Sequence, residues 1–399
     1  MSPLAATRLH SLQVGLGWQG ETAGGLNRLF AALAERLPDA GVTVTGLVAA
    51  DHAPGIIARD AGAVTARIDA FAAPSASSTA RMLAARRAVR RAVAAQPPDV
   101  LVSHFAPYGA ALLPFAERIP LVVHFHGPWA EESRTEGRGS VSTWWRARLE
   151  RRVYRRATRC IVLSEAFGEL LHRQYGVSRS RIVVIPGGVD VAASTALPSR
   201  ADARVRLGWD AEAPTVLAVR RLVKRTGIDR LIAAADAVRT AVPGVRILIA
   251  GDGPERAAYE AQIASAGLGD TVRLLGFVSE ETLRLAYRAA TVTVVPTIAL
   301  EGFGLIVPES LAAGTPVLVT PVGGLPETVR ALDASLVLRD SSSEAIAEGL
   351  IAVLSGRQAM PDSARCTAFA REHYDWPQVT AHMADLFRGI VAARSVGAA

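Results

Sequence analysis

The sequence predicts an α/β protein made of two doubly wound domains, each a parallel sheet covered on both faces by helices. Three observations carry that reading. Short β-branched apolar runs alternate with longer stretches of helical period along the whole chain. The 399 residues exceed what one hydrophobic core usually supports, which gives two domains of roughly 200 residues each. A Gly-, Pro-, Ser- and Ala-punctuated stretch at 186–214 carries no long apolar periodicity and marks the join. The domains are expected at 1–190 and 191–376, facing each other across a cleft, with a C-terminal helix at 377–395 packing back on the first.

In chain order, the first domain's strands are expected at 9–15, 42–48, 99–103, 121–125, 160–164 and 181–185. Those of the second fall at 214–219, 245–250, 271–276, 291–296 and 315–320. Helical period is plain at 26–37, 227–242 and 280–290. In doubly wound sheets ligands bind beyond the carboxyl ends of the strands, so motif residues at strand ends are the ones to inspect.

Composition narrows the classes. With 50% hydrophobic and 20% charged residues the chain is globular with a large core. No run approaches the ~18 apolar residues of a membrane span, and the start lacks a signal-peptide pattern. Cys160 and Cys366 form no disulfide framework, and Cys160 begins the apolar run CIVL, where a buried thiol is expected. A cytoplasmic setting fits. Residues 1–199 hold 23 arginines against 15 acids, a balance of +8, while the remainder is near neutral at −1. Such asymmetry suggests nucleic acid, a membrane surface or an anionic substrate as partner.

Five stretches could carry chemistry. GLGWQG (15–20) matches a dinucleotide fingerprint, but the helix opens ten residues past the strand and no acid stands where a ribose partner belongs, so nicotinamide or flavin binding is rejected. Gly24-Gly25 at a helix start could admit an anion to backbone amides, or form a plain flexible loop. In HFHGPW (124–129), His126 ends a strand before a Gly-Pro turn and is either a cleft-facing group or structural, whereas His124 reads as a satisfied core histidine. No His, Cys, Asp and Glu set has metal-ligand spacing, so no metal is expected. VRRLVKRTG (219–227) crowds Arg220, Arg221, Lys224 and Arg225 at a strand end; a solvated charge run is the bland alternative to a phosphate site. Lys224 is the chain's one lysine.

The fifth stretch is EGFGLIVPES (301–310). Pro308 suits a first helical turn, which puts Glu309 at a helix N-terminus. Glycines 302 and 304 can bring amide donors close to a phosphate, and carboxylates accept hydrogen bonds from sugar hydroxyls. A nucleotide-activated sugar carries both groups.

These residues resemble a retaining glycosyltransferase of family 4, whose GT-B fold has two facing Rossmann-like domains. Glu301 and Glu309 match the family's E-x7-E motif, Gly24-Gly25 its N-terminal glycine loop, HFHG its acceptor-side strand end, and IPGGVD (185–190) its interdomain segment. GDGP (251–254) and LGFVS (275–279) match loops near the nucleotide base. Two positions depart. The family often has Gly-Arg-Leu where this chain has Arg220-Arg221-Leu222, and a lysine where Thr226 stands. The resemblance implies a metal-independent transfer of a sugar from a nucleotide diphosphate, UDP first and GDP second, to a hydroxyl of a glycan, lipid-linked saccharide or metabolite. It implies that Glu309 holds the ribose, that Gly302, Phe303, Gly304 and Leu305 line the phosphate and sugar, and that Glu301 sits by the donor sugar. Arg221 with Lys224 or Arg225 would clamp the diphosphate, Gly253, Phe277 and Val278 would lie near the base, and His126 would position donor sugar or acceptor. An epimerase, a phosphorylase or a non-catalytic nucleotide-sugar binding protein of the same fold are the alternatives.

The loop 128–140 is expected to shape the acceptor site, with Trp129 and Arg138 as candidates. Residues 81–96 hold five arginines and 143–159 hold seven. In the latter, Trp145, Leu149 and Val153 form one helical stripe, which either packs on its own sheet with its arginines snorkelling or touches anionic lipid at the membrane's inner face. Nucleic acid is not expected, because no aromatic interleaving accompanies the charge.

Overall fold

A computed structural model of the chain describes residues 8–19, 21, 24–58, 64–129 and 140–397. The chain forms two compact units. One runs to Gly187 and regains the C-terminal segment from Pro377; the other spans Gly188–Trp376.

The first unit is built on an eight-stranded sheet: β1 (Leu9–Gly17), β2 (Val42–Ala49), β3 (Gly55–Ala58), β4 (Val64–Ala72), β5 (Val100–Ser103), β6 (Leu121–Phe125), β7 (Arg159–Val162) and β8 (Ile182–Val184). Their order is β3-β4-β2-β1-β5-β6-β7-β8, parallel throughout except for the antiparallel edge pair β3/β4. The strands β3 and β4 were not expected. In VTARIDAFA, Ala66 and Ile68 are buried while Arg67 is exposed, so this strand alternates rather than forming an apolar run. Helices α1 (Gly25–Arg36), α2 (Ser78–Ala95), α3 (Ala106–Gly109), α4 (Ser140–Arg156) and α5 (Glu165–Tyr175) connect them. Ser77 and Ser164 cap α2 and α5 by accepting backbone N–H bonds. Alternate strand residues Leu12, Val14, Leu101, Leu121, Val123 and Phe125 form one core with Ala85 and Val89 of α2, Val153 of α4 and Leu171 of α5. These three helices thus share one face of the sheet. The C-terminal helix Trp376–Gly397 returns to this unit, where the Arg388 and Arg394 guanidiniums donate to the carbonyls of Ala40 and Glu117.

The second unit holds a five-stranded parallel sheet of β9 (Thr215–Val219), β10 (Arg246–Ala250), β11 (Val272–Gly276), β12 (Val292–Val295) and β13 (Val317–Val319), in the order β11-β10-β9-β12-β13. Near-continuous apolar strands are what a sheet covered on both faces requires. Helices α6 (Ile228–Ala241), α7 (Arg256–Ser265), α8 (Glu280–Ala289) and α9 (Ile306–Ala312) follow β9, β10, β11 and β12. Both cysteines are buried and unpaired, and burial pushes each thiol up to about 12.

Candidate active site

In the second unit the chain leaves β9 at Arg220, leaves β12 at Pro296, and enters α9 at Ile306, so three site segments share the carboxyl edge of adjacent strands. Arg220 is 8% exposed, and its Nη2 donates to Thr297 Oγ1 at 2.5 Å and to Glu301 Oε2. Glu301 therefore has a partner, and it is the arginine standing at the position where the family often has glycine. Thr297 Oγ1 also lies 3.4 Å from the same carboxylate oxygen.

The backbone around Glu301 is tightly held. Leu300, with φ 55°, is the one non-glycine residue at positive φ among the described residues, an arrangement costing ~1–3 kcal/mol that tends to mark functional sites. Arg225 Nη1 donates to the Leu300 carbonyl at 3.1 Å, and Gly324 N–H donates to the Glu301 carbonyl at 3.0 Å. Gly323 lies so close that an added Cβ would overlap the Glu301 carbonyl oxygen. Glu309 stands in the first turn of α9, as expected, and accepts from the hydroxyl of Tyr287 on α8 at 2.8 Å. Phe303 and Gly304 are buried, Gly302 and Leu305 half-buried.

Of the four cations after β9, Arg220 and Arg225 serve the Glu301 loop, while Arg221 and Lys224 are exposed and their side chains make no hydrogen bond or ion pair among the described residues. The GDGP loop is pinned beneath them: Leu222 N–H donates to Asp252 O at 3.0 Å, and a Cβ on Gly253 would overlap the Leu222 backbone. Phe277 is 81% exposed after β11, with Val278 half-buried beside it.

The first unit gathers three histidines. His104 follows β5, His124 lies in β6 and His126 just after it; the two strands are neighbours. The imidazole planes lie 9° to 23° from parallel, with the His104 and His124 centroids 4.2 Å apart. His104 Nε2 meets Gln13 Oε1 at 2.9 Å, but both ring nitrogens of the buried His124 lack a partner, as does Nε2 of His126. The expectation of a satisfied His124 is thus corrected: it is core, and unsatisfied. Burial first, and mutual repulsion second, hold His104 and His124 well below the usual imidazole range; burial takes His126 to about 4.

A second correction concerns metal-ligand spacing. Although absent along the chain, a set exists in space, since one nitrogen from each of these histidines lies within 4.8 Å of the others. Gly24 and Gly25 open α1 with free space around each Cα. The Trp129 amide donates to Glu150 Oε1 at 3.1 Å, and its ring carries the Arg146 guanidinium at 4.3 Å. Arg138 lies outside the described residues.

Two family models match the chain, one described as Glycosyltransferase Family 4 over residues 23–193 and one as Glycosyl transferases group 1 over 199–373. A D-inositol 3-phosphate glycosyltransferase of Acidothermus cellulolyticus is 30% identical over 402 residues, covering 94% of this chain and 88% of that one. The chain belongs to glycosyltransferase family 4. It is accordingly a glycosyltransferase enzyme. A GDP-mannose-dependent alpha-(1-6)-phosphatidylinositol monomannoside mannosyltransferase of Mycobacterium tuberculosis is 32% identical over 220 residues; the match spans 53% of this chain and only 56% of that protein. Among solved structures, sucrose-phosphate synthase from Thermosynechococcus elongatus superposes with a TM-score of 0.77 at 23% identity, covering 97% of this chain and all of that one. Anabaena HepE in complex with UDP and glucose gives 0.73 at 19% identity, over 96% of this chain and 100% of that one. These likenesses establish the GT-B fold for a family 4 enzyme.

Proposed function

We propose that this family 4 glycosyltransferase moves a sugar, with retention of anomeric configuration, from a nucleotide-diphosphate sugar to an acceptor hydroxyl. One observation carries the donor assignment: two unengaged cations, Arg221 and Lys224, stand at the end of β9 on the same sheet edge as the Arg220-anchored Glu301 loop and Glu309. Arg221 and Lys224 clamp the diphosphate, and Lys224 is the second phosphate cation because the Arg225 guanidinium is committed to the Leu300 carbonyl. Glu309 grips ribose hydroxyls, and the exposed Phe277 ring stacks on the base. The relatives' names include both a GDP-sugar user and a protein crystallised with UDP, and the base is assigned to one of these two.

In the reaction, the bond from sugar C1 to the β-phosphate oxygen breaks and the cations meet the charge left on the diphosphate. The acceptor oxygen bonds to C1 on the face the diphosphate leaves, and its proton passes to a phosphate oxygen. The scheme asks for no metal. Nor does it need His126 as a base: an imidazole with a pKa of about 4 is neutral at pH 7 but a weak proton acceptor, better suited to positioning a hydroxyl. The test is product analysis with a panel of UDP- and GDP-sugars and simple hydroxyl acceptors. Transfer that keeps the donor's anomeric configuration supports the proposal; inversion, donor epimerisation without transfer, or a requirement for inorganic phosphate overturns it.

A further inference from the structure

We propose that the first unit docks on an anionic lipid bilayer through the outer faces of α2 and α4, with Trp144 and Trp145 inserted at the level of the headgroups. This does not rest on the reaction assigned above. The apolar stripe of α4 divides in two. Val153 is fully buried and Leu149 packs against the core, as a helix lying on its own sheet demands, but Trp144 and Trp145 are 56% and 62% exposed. Neither indole joins the core of this unit among the described residues, and two adjacent large apolar rings this exposed form a patch suited to a partner. They meet edge to face, their centroids 4.9 Å apart, with the Arg148 guanidinium 5.7 Å above the Trp144 ring.

Among the described residues, the exposed charges carried by α4 itself have one sign. Beyond Trp145, α4 exposes Arg148, Arg151, Arg152, Arg155 and Arg156, and its one acid, Glu150, is fully buried under the hydroxyls of Tyr154 and Tyr175 and the Trp129 amide. Glu169 of α5 is occupied by Arg173 and Arg179, and among the described residues Glu117 approaches this helix, 3.6 Å from Arg156. On α2, in the same helical layer, Arg86, Arg87, Arg90 and Arg91 are exposed and no acid interrupts them. A broad guanidinium surface with indoles at one end matches a bilayer that carries anionic headgroups above an apolar interior. Duplex nucleic acid would use the arginines and leave the tryptophans idle. Since α4 follows β6, its indole end lies at the carboxyl edge of the sheet, the edge that holds His126 and Trp129. Docking there sets the candidate acceptor residues beside the lipid surface.

The full chain is sedimented with vesicles of phosphatidylcholine alone and of phosphatidylcholine with 30% phosphatidylglycerol, at low and high salt, with competing duplex DNA as a control. Binding should require phosphatidylglycerol and weaken steeply with salt. Arg151→Gln/Arg152→Gln/Arg155→Gln should abolish it, and Trp144→Ser/Trp145→Ser should weaken it at least tenfold while keeping the salt dependence. Because all five positions are exposed, unchanged circular dichroism is expected, and a blue shift of wild-type tryptophan emission on vesicles, missing from the serine variant, reports insertion without reference to folding. No binding to the anionic vesicles, binding indifferent to the tryptophans, or full displacement by DNA overturns the proposal.

Discussion

Arg220→Ala should be the most damaging single truncation in the second unit's site, and its cost follows from burial. The Arg220 and Glu301 side chains are 7% and 14% exposed, so removing the guanidinium leaves a carboxylate largely shielded from water. Breaking a buried pair from one side costs ~3–5 kcal/mol, and the partial opening at Glu301 places the expected loss near the lower figure, about 3 kcal/mol. The assay is urea unfolding of Arg220→Ala, Glu301→Ala and the double variant, following the transition that a nucleoside diphosphate shifts. The double variant should be less destabilised than the sum of the singles by at least about 1 kcal/mol, because each single strands the other's charge. A loss below about 1 kcal/mol in Arg220→Ala, with additive singles, would refute the ion-pair reasoning.

Three further outcomes follow from the same geometry. Leu300→Gly should be neutral or stabilising by up to about 1 kcal/mol, since glycine accepts φ 55° freely, whereas Leu300→Val should destabilise by about 1–2 kcal/mol; thermal melts of both decide it. Gly323→Ala should displace the Glu301 carbonyl and lower nucleotide affinity at least tenfold by calorimetry, because its Cβ has no room. The buried histidines bind protons less well folded than unfolded, so stability should be complete above pH 6.5 and fall as pH drops toward 4, with His126 contributing up to ~3 kcal/mol. Unfolding titrations of His126→Gln should show a shallower decline across that window than the parent.

The parallel sheets were legible because fully covered strands read as apolar runs; all eleven runs named from the sequence are strands. Strand β4 escaped because Arg67 and Asp69 interrupt the run, and period-two alternation was the signal available there; β3 is only the four residues Gly55–Ala58, too short a run to stand out. At the site, the motif glutamates and their loop were visible, but the role of Arg220 was not. Its partners Thr297 and Glu301 lie 77 and 81 residues later, and only the adjacency of β9 and β12 joins them. His104 was missed for a similar reason: it joins HFH through the pairing of β5 with β6, and nothing near it in the chain announces the stack. The division of labour among the four cations after β9 likewise depends on the backbone path, which turns Arg225 toward Leu300 and leaves Arg221 and Lys224 in solvent.

The central claim, a diphosphate held by Arg221 and Lys224 with ribose on Glu309, is tested most directly by calorimetry of UDP and GDP against the parent protein, Arg221→Ala, Lys224→Ala and Glu309→Ala. The account predicts that one of the two nucleotides binds the parent, that each variant binds it at least tenfold more weakly, and that only the Glu309 change leaves inorganic pyrophosphate binding intact. Parent-like affinity in all three variants, or no binding of either nucleotide to the parent, would contradict it.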